Sequence, residues 1–205
     1  MKEEIEKALV ILESARNVHM ELGKRMLEPG ASYFCKMDFF ALAVFNRSVC
    51  LIKGFVHMIR LENFICAAPL LRLQIDNLLR FHAATMVRDP NDFVDAILQG
   101  AQIDRIKDAN GKPLKDSYIL SQLPTKYKEL RNLYKVTSGY VHLSKEHIRS
   151  AMTVKGSKVT GRISDTDQFV DDKDKLDAVT AMANVTRVLL EMLAGWVNYK
   201  RSLGT

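Results

Sequence analysis

Arg72, Asp76 and Arg80 follow one another at intervals of four in the run APLLRLQIDNLLR. On a helix of 3.6 residues per turn, positions i, i+4 and i+8 stack along one side, so two guanidiniums and a carboxylate share a strip. Arg47 falls among apolar neighbours when FFALAVFNRSVCLIKGF is wound at about 100° per residue. A guanidinium does not shed its charge, and on an apolar stripe it needs a carboxylate or a bound anion. Asp76 is the candidate carboxylate. If these side chains meet, they form either a positively charged pocket for phosphate or carboxylate or a set of structural ion pairs with Arg47 reaching for solvent. The spacing alone leaves both readings open.

A second constellation lies in LYKVTSGYVHLSKEH, where Ser138, Tyr140 and His142 alternate behind a helical pattern. His142 titrates near neutrality and has the chemistry of a general acid or base, with Tyr140 and Ser138 placed to hold a ribose or phosphate. The same residues also read as ordinary helix-end punctuation, with a Ser-Gly break and a histidine capping free carbonyls. No metal set is expected: His142 and His147 are five apart, which splays them around a helix. No G-x-x-x-x-G-K-S/T, G-x-G-x-x-G or G-x-S-x-G occurs, so nucleotide hydrolysis, dinucleotide chemistry and α/β-hydrolase chemistry lack their usual support, and no cofactor is expected.

The elements that must position these residues are helical. The chain of 205 residues is 47% apolar with 10 glycines and 5 prolines, enough for one core and one domain over 1–205. Apolar periodicity predicts helices from Lys2 to about Glu28, from Met37 or Asp38 to about Glu62, from about Ala67 to Val87, and from about Asp172 to Arg201. The first helix faces inward through Ile5, Leu9, Leu12, Val18 and Leu22, with Glu-Pro-Gly stopping it at 28–30. On the third, Leu71, Ile75, Leu78, Leu79, His82 and Met86 form a wide face, and Leu70, Leu73 and Phe81 cover most of the rest. Pro69 is tolerable there as a first-turn residue. Shorter helices are expected from Pro90 to about Gly100 and from Pro124 to about Thr137, with a long loop from Asp108 to Asp116. Residues 148–163 are rich in β-branched side chains around Lys-Gly-Ser-Lys, which predicts a small β-hairpin. The expected fold is therefore mostly all-α, a bundle of four long helices with antiparallel neighbours plus short ones.

Charge is unevenly placed. Between 104 and 162 there are 13 lysines and arginines against 5 aspartates and glutamates, which leaves 17 against 19 in the remainder of the 30 and 24. A basic middle on a near-neutral body suits an anionic partner, although such lysines also serve solubility. Phe39 to Phe45 is the longest apolar run of the N-terminal third, too short and too closely followed by Asn46, Arg47 and Lys53 for a span of about 20 residues. No export signal opens the chain, and Cys35, Cys50 and Cys66 read as reduced, buried thiols. A soluble cytoplasmic protein without a membrane contact is expected.

The order RSVCLIKGFVHMIR, APLLRLQIDNLLR, LYKVTSGYVHLS resembles bacterial all-helical families near the HEPN superfamily and the abortive-infection proteins, over residues 40–150. The resemblance implies a helical bundle, commonly a homodimer, and for many members metal-independent RNA cleavage through an R-x4-6-H motif in toxin or phage-defence roles. Here Arg131 precedes His142 by eleven, and Arg47 precedes His57 and Arg72 precedes His82 by ten, so that motif is absent. The positions matching the shared residues are Arg72, Asp76, Arg80 and His142. Two functions follow: an RNA- or nucleotide-binding protein whose Arg47, Arg72 and Arg80 hold phosphate while His142 assists any cleavage, or a non-enzymatic bundle that binds a partner protein or small acidic ligand and uses its arginines as structural ion pairs.

Overall fold

The computed structural model describes residues 1–28, 33–142 and 144–203, with Glu146 described by its backbone alone. The chain runs α1 (Lys2–Leu27), α2 (Lys36–Arg60), α3 (Phe64–Met86), α4 (Pro90–Leu98), α5 (Asp116–Gln122), α6 (Glu129–Ser138), α7 (Lys145–Ala151), β1 (Met152–Lys155), β2 (Lys158–Gly161) and α8 (Asp172–Ser202), with 3-10 turns at Ile103–Arg105 and Thr125–Tyr127. The four long helices lie close to where the periodicity put them, and the hairpin occupies Met152–Gly161 of the expected 148–163, whose first four residues instead end α7, a helix not expected from the sequence. The Pro29 and Gly30 stop falls outside the described residues.

α2 packs most extensively on α3 and α1 on α8, while α3 also lies against α8, so the four long helices share one core. α2 contributes Ala41, Val44, Phe55 and Ile59, and α8 contributes Val179, Met182, Leu189 and Leu193. By length and composition alone α2 and α8 are long and apolar enough to cross a membrane. Here both turn part of their apolar surface into this core.

A polar layer crosses the middle of the bundle. His19 Nδ1 faces the Ala15 carbonyl at 2.7 Å and must carry the proton there, so Nε2 accepts from Ser48 Oγ at 2.8 Å. Ser48 accepts in turn from Gln74 Nε2 at 2.6 Å, and Gln74 also donates to Thr186 at 3.1 Å. One chain of bonds thus ties α1, α2, α3 and α8 in a single register. Burial lowers the His19 pKa below its ordinary value, opposed in part by the Ala15 carbonyl.

Several expectations need correction. Val18 is exposed and His19 takes the buried place, because the Ser48 hydroxyl gives the imidazole a partner that the sequence of α1 does not reveal. Leu73 is also exposed. α3 begins a turn earlier than its apolar pattern: Asn63 accepts from Cys66 N at 3.2 Å, and Asp167, far along the chain, accepts from Phe64 N at 2.9 Å. Pro69 consequently lies beyond the first turn. The segment after Pro124 splits into a 3-10 turn and α6, and the run beginning at Asp116 forms α5 rather than the end of a loop. Cys35, the N-cap of α2, is half-buried, while Cys50 on α2 and Cys66 on α3 are exposed; all three are free thiols.

Candidate functional site

The strip on α3 is flanked by α2, α5 and α6, and the elements meet there through charge. Arg47 Nη1 of α2 lies 3.0 Å from Asp76 Oδ2, and Arg80 Nη2 lies 2.9 Å from Asp76 Oδ1. Asp116, the first residue of α5, sits 2.8 Å from Arg80 Nη1 and 3.5 Å from Arg72 Nη2. The Arg80–Asp116 contact is an ion pair whose angle falls outside hydrogen-bond geometry. Tyr134 of α6 lays its ring 3.9 Å from the Arg72 guanidinium carbon and donates its hydroxyl to Asp116 Oδ2 at 2.7 Å. Ser138 accepts from Arg72 Nε at 3.4 Å and donates to the Tyr134 carbonyl at 2.7 Å.

Three guanidiniums therefore share two carboxylates in an alternating chain, Arg47–Asp76–Arg80–Asp116–Arg72. The Arg72 side chain is 14% exposed and Arg47 is 40% exposed, so the chain runs from a nearly dry end to an open one. Burial works to lower the Arg80 pKa, but Asp76 and Asp116 together outweigh it and hold it above its ordinary value. Burial raises the Tyr134 hydroxyl, the Asp116 carboxylate adds to that, and Arg72 opposes it. The phenol therefore stays protonated and serves as a donor.

The structure brings together Arg47, Arg72, Asp76, Arg80 and Ser138, but neither Tyr140 nor His142. Among the described residues, helical hydrogen bonding past Ser138 reaches Val141, whose N–H meets the Ser138 carbonyl at 3.3 Å. Had α6 continued a further turn, His142 would have stacked beyond Ser138 on the same face. Instead it is exposed in the following turn, and no hydrogen bond or ion pair among the described residues links it to the arginines. Tyr140 turns to the other side of α6 and packs edge-on against Phe64, with centroids 5.7 Å apart.

That other side opens a cavity of about 440 Å³ between α3, α6, α7, α8 and the strip at Phe169 and Val170. Phe64, Ala68, Leu71, Leu133 and Val136 make much of it apolar, while Arg149, Asp174 and Asp177 are its charged lining. Its size falls in the usual range for small-molecule sites, and so does its mixture of apolar wall and few polar groups. Burial raises the Asp174 carboxyl, with Asp171 and Asp177 adding to the effect. Asp116 and this cavity escape sequence reasoning because both depend on how short helices dock; the faint signal was small residues, Ala68, Ala178 and Ala181, on long helices otherwise lined with large ones.

Among the described residues, no three His, Cys, Asp or Glu side chains gather as metal ligands. Comparison with protein-family models, curated proteins and solved structures finds no match for this chain.

Proposed function

We propose that the protein is a non-enzymatic helical binding module that seats a small molecule in the cavity between α3, α6, α7 and α8, and that its arginine chain is structural. The observation that carries this reading is the pairing of the arginines: each guanidinium already rests on a carboxylate, so an incoming anion meets a largely neutralised cluster. The opening beside Arg80 adds Lys115 but also Asp104 and Asp116, so its charges cancel. Apart from Asp76 and Asp116, which are engaged by the arginines, no base lies in reach of the cluster among the described residues, with Tyr134 protonated and His142 elsewhere.

The test uses N-phenyl-1-naphthylamine, an apolar fluorophore uncharged at neutral pH. Saturable enhancement at one equivalent, lost in the Ala178→Phe and Ala181→Phe variants, supports the cavity. Absence of saturable binding to the folded wild-type protein defeats it.

A second reading, a HEPN-like protein that binds RNA or a nucleotide, has one observation in its favour: three guanidiniums face two carboxylates, and the surplus charge lies toward the exposed Arg47. It requires binding of labelled single-stranded RNA that weakens steeply with added salt, because neutralised phosphates release counterions. Loss of that binding in Arg47→Ala would favour it over the structural role.

A further inference from the structure

The walls of the cavity carry information about which molecule it takes. α8 lines it with Asp174, Asp177, Ala178 and Ala181, spaced i, i+3, i+4 and i+7 and therefore on one stripe. One wall thus passes from two carboxylates to two methyl groups within two turns. From the neighbouring α3, Phe64, Ala68 and Leu71 line it without charge.

The carboxylates have an ordinary explanation to overcome, because acidic residues favour the positive end of a helix. That accounts for Asp172 and Asp174 in the first turn of α8. It does not account for Asp177, which lies beyond that turn on the cavity stripe. No hydrogen bond or ion pair among the described residues takes up the side chain of either Asp174 or Asp177. Arg149 is the one cation in the described lining and has an interaction of its own; Lys173 acts on Asp174 from the same helix, but Asp171 and Asp177 act against it more strongly. The lining therefore carries two carboxylates against one arginine, and apart from Thr137, Tyr140 and Ser150 the rest of it is apolar.

We infer that the ligand is a small amphiphile bearing a protonated amine, with its apolar body against Phe64, Leu71 and the alanines and its ammonium between Asp174 and Asp177. This rests on the cavity reading and adds the class of ligand to it. Both aspartates are exposed and stay hydrated without a ligand, so a neutral molecule would gain nothing from them, whereas a carboxylate would meet two like charges for one arginine.

The probes are 4-phenylbutylamine, 4-phenylbutanol and 5-phenylvalerate, which share one phenylbutyl body and differ in head-group charge, each competing with N-phenyl-1-naphthylamine at neutral pH. The amine is expected to displace the fluorophore at about five- to tenfold lower concentration than the alcohol, as befits a partly solvated ion pair, with the acid weakest. The combined Asp174→Asn and Asp177→Asn substitution should erase the amine's advantage and leave the alcohol unchanged. If the alcohol or the acid competes as well as the amine while the fluorophore binds saturably, the cationic ligand is wrong and the cavity reading stands. If the fluorophore itself does not bind, both fall. Should the double variant fail to fold, the order of the three probes on the wild-type protein decides alone.

Discussion

Arg80 Nη1 and Asp116 Oδ1 stand 2.8 Å apart although one belongs to the middle of α3 and the other to the first residue of α5. Asp116 also receives the Tyr134 hydroxyl and faces Arg72, so one carboxylate holds α3, α5 and α6 together. Its removal leaves two largely buried guanidiniums and a phenol short of an acceptor.

Asp116→Ala should therefore lower stability by about 2–3 kcal/mol. Arg47→Ala, which removes the most open member of the chain, should cost about 1 kcal/mol or less. Urea-unfolding midpoints for the two variants measure the difference. Equal losses would mean that the alternating chain is not graded by burial as its exposures require.

The charged strip was legible before the fold was known because Arg72, Asp76 and Arg80 repeat at helical spacing and Arg47 interrupts an apolar face. Asp116 was not legible. It ends a turn-rich run, and seven residues of helix leave too short a pattern to distinguish from loop. Long helices declare their buried sides through many turns of repetition, whereas a partner brought by a short helix, or a cap such as Asp167 on α3, depends on tertiary placement. Charge misleads in the same way: Asp38, Lys175 and Lys200 look solvated in the sequence and are buried.

Lys200 and Asp38 form the most deeply buried pair described, 2.6 Å apart with side chains 3% and 0% exposed. The two ends are not equivalent. Asp38 also accepts from Trp196 Nε1 at 3.0 Å and from Cys35 N at 2.8 Å, so it keeps two donors when Lys200 is replaced. Among the described residues, Lys200 keeps only the Met26 carbonyl at 3.4 Å when Asp38 is replaced, besides the Phe34 ring 5.1 Å away. Asp38→Ala is expected to cost about 3–5 kcal/mol and Lys200→Met clearly less. Chemical denaturation of both variants checks the order, and a larger loss in Lys200→Met would contradict it.

Ser138 and His142 should separate in their effects. Ser138→Ala removes an acceptor from Arg72 and should lower stability by about 1 kcal/mol. His142→Ala touches an exposed ring with no partner among the described residues and should leave the melting temperature and fluorophore binding unchanged. If purified protein cleaves RNA and His142→Ala abolishes the cleavage, the non-enzymatic reading is lost.

Stability should fall on mild acidification, and two histidines give the reason. Burial lowers His19 and His82 below their ordinary value, with the Ala15 and Gln122 backbones opposing it in part. Above about pH 6.5 both are neutral in the folded and the unfolded chain, and they favour neither. As pH drops below that value the unfolded chain binds protons that the folded chain refuses, so stability is lost progressively until the folded imidazoles titrate. The carboxylates that Arg60 and Lys2 hold low, Glu6 and Glu62, add their loss only further down, below about pH 4.3. Urea midpoints measured between pH 7 and about pH 5 should therefore decline in the wild-type protein. His19→Gln, whose amide can serve both Ala15 and Ser48, should flatten that decline in combination with His82→Gln. An equally steep decline in the double variant would place the acid sensitivity in other groups.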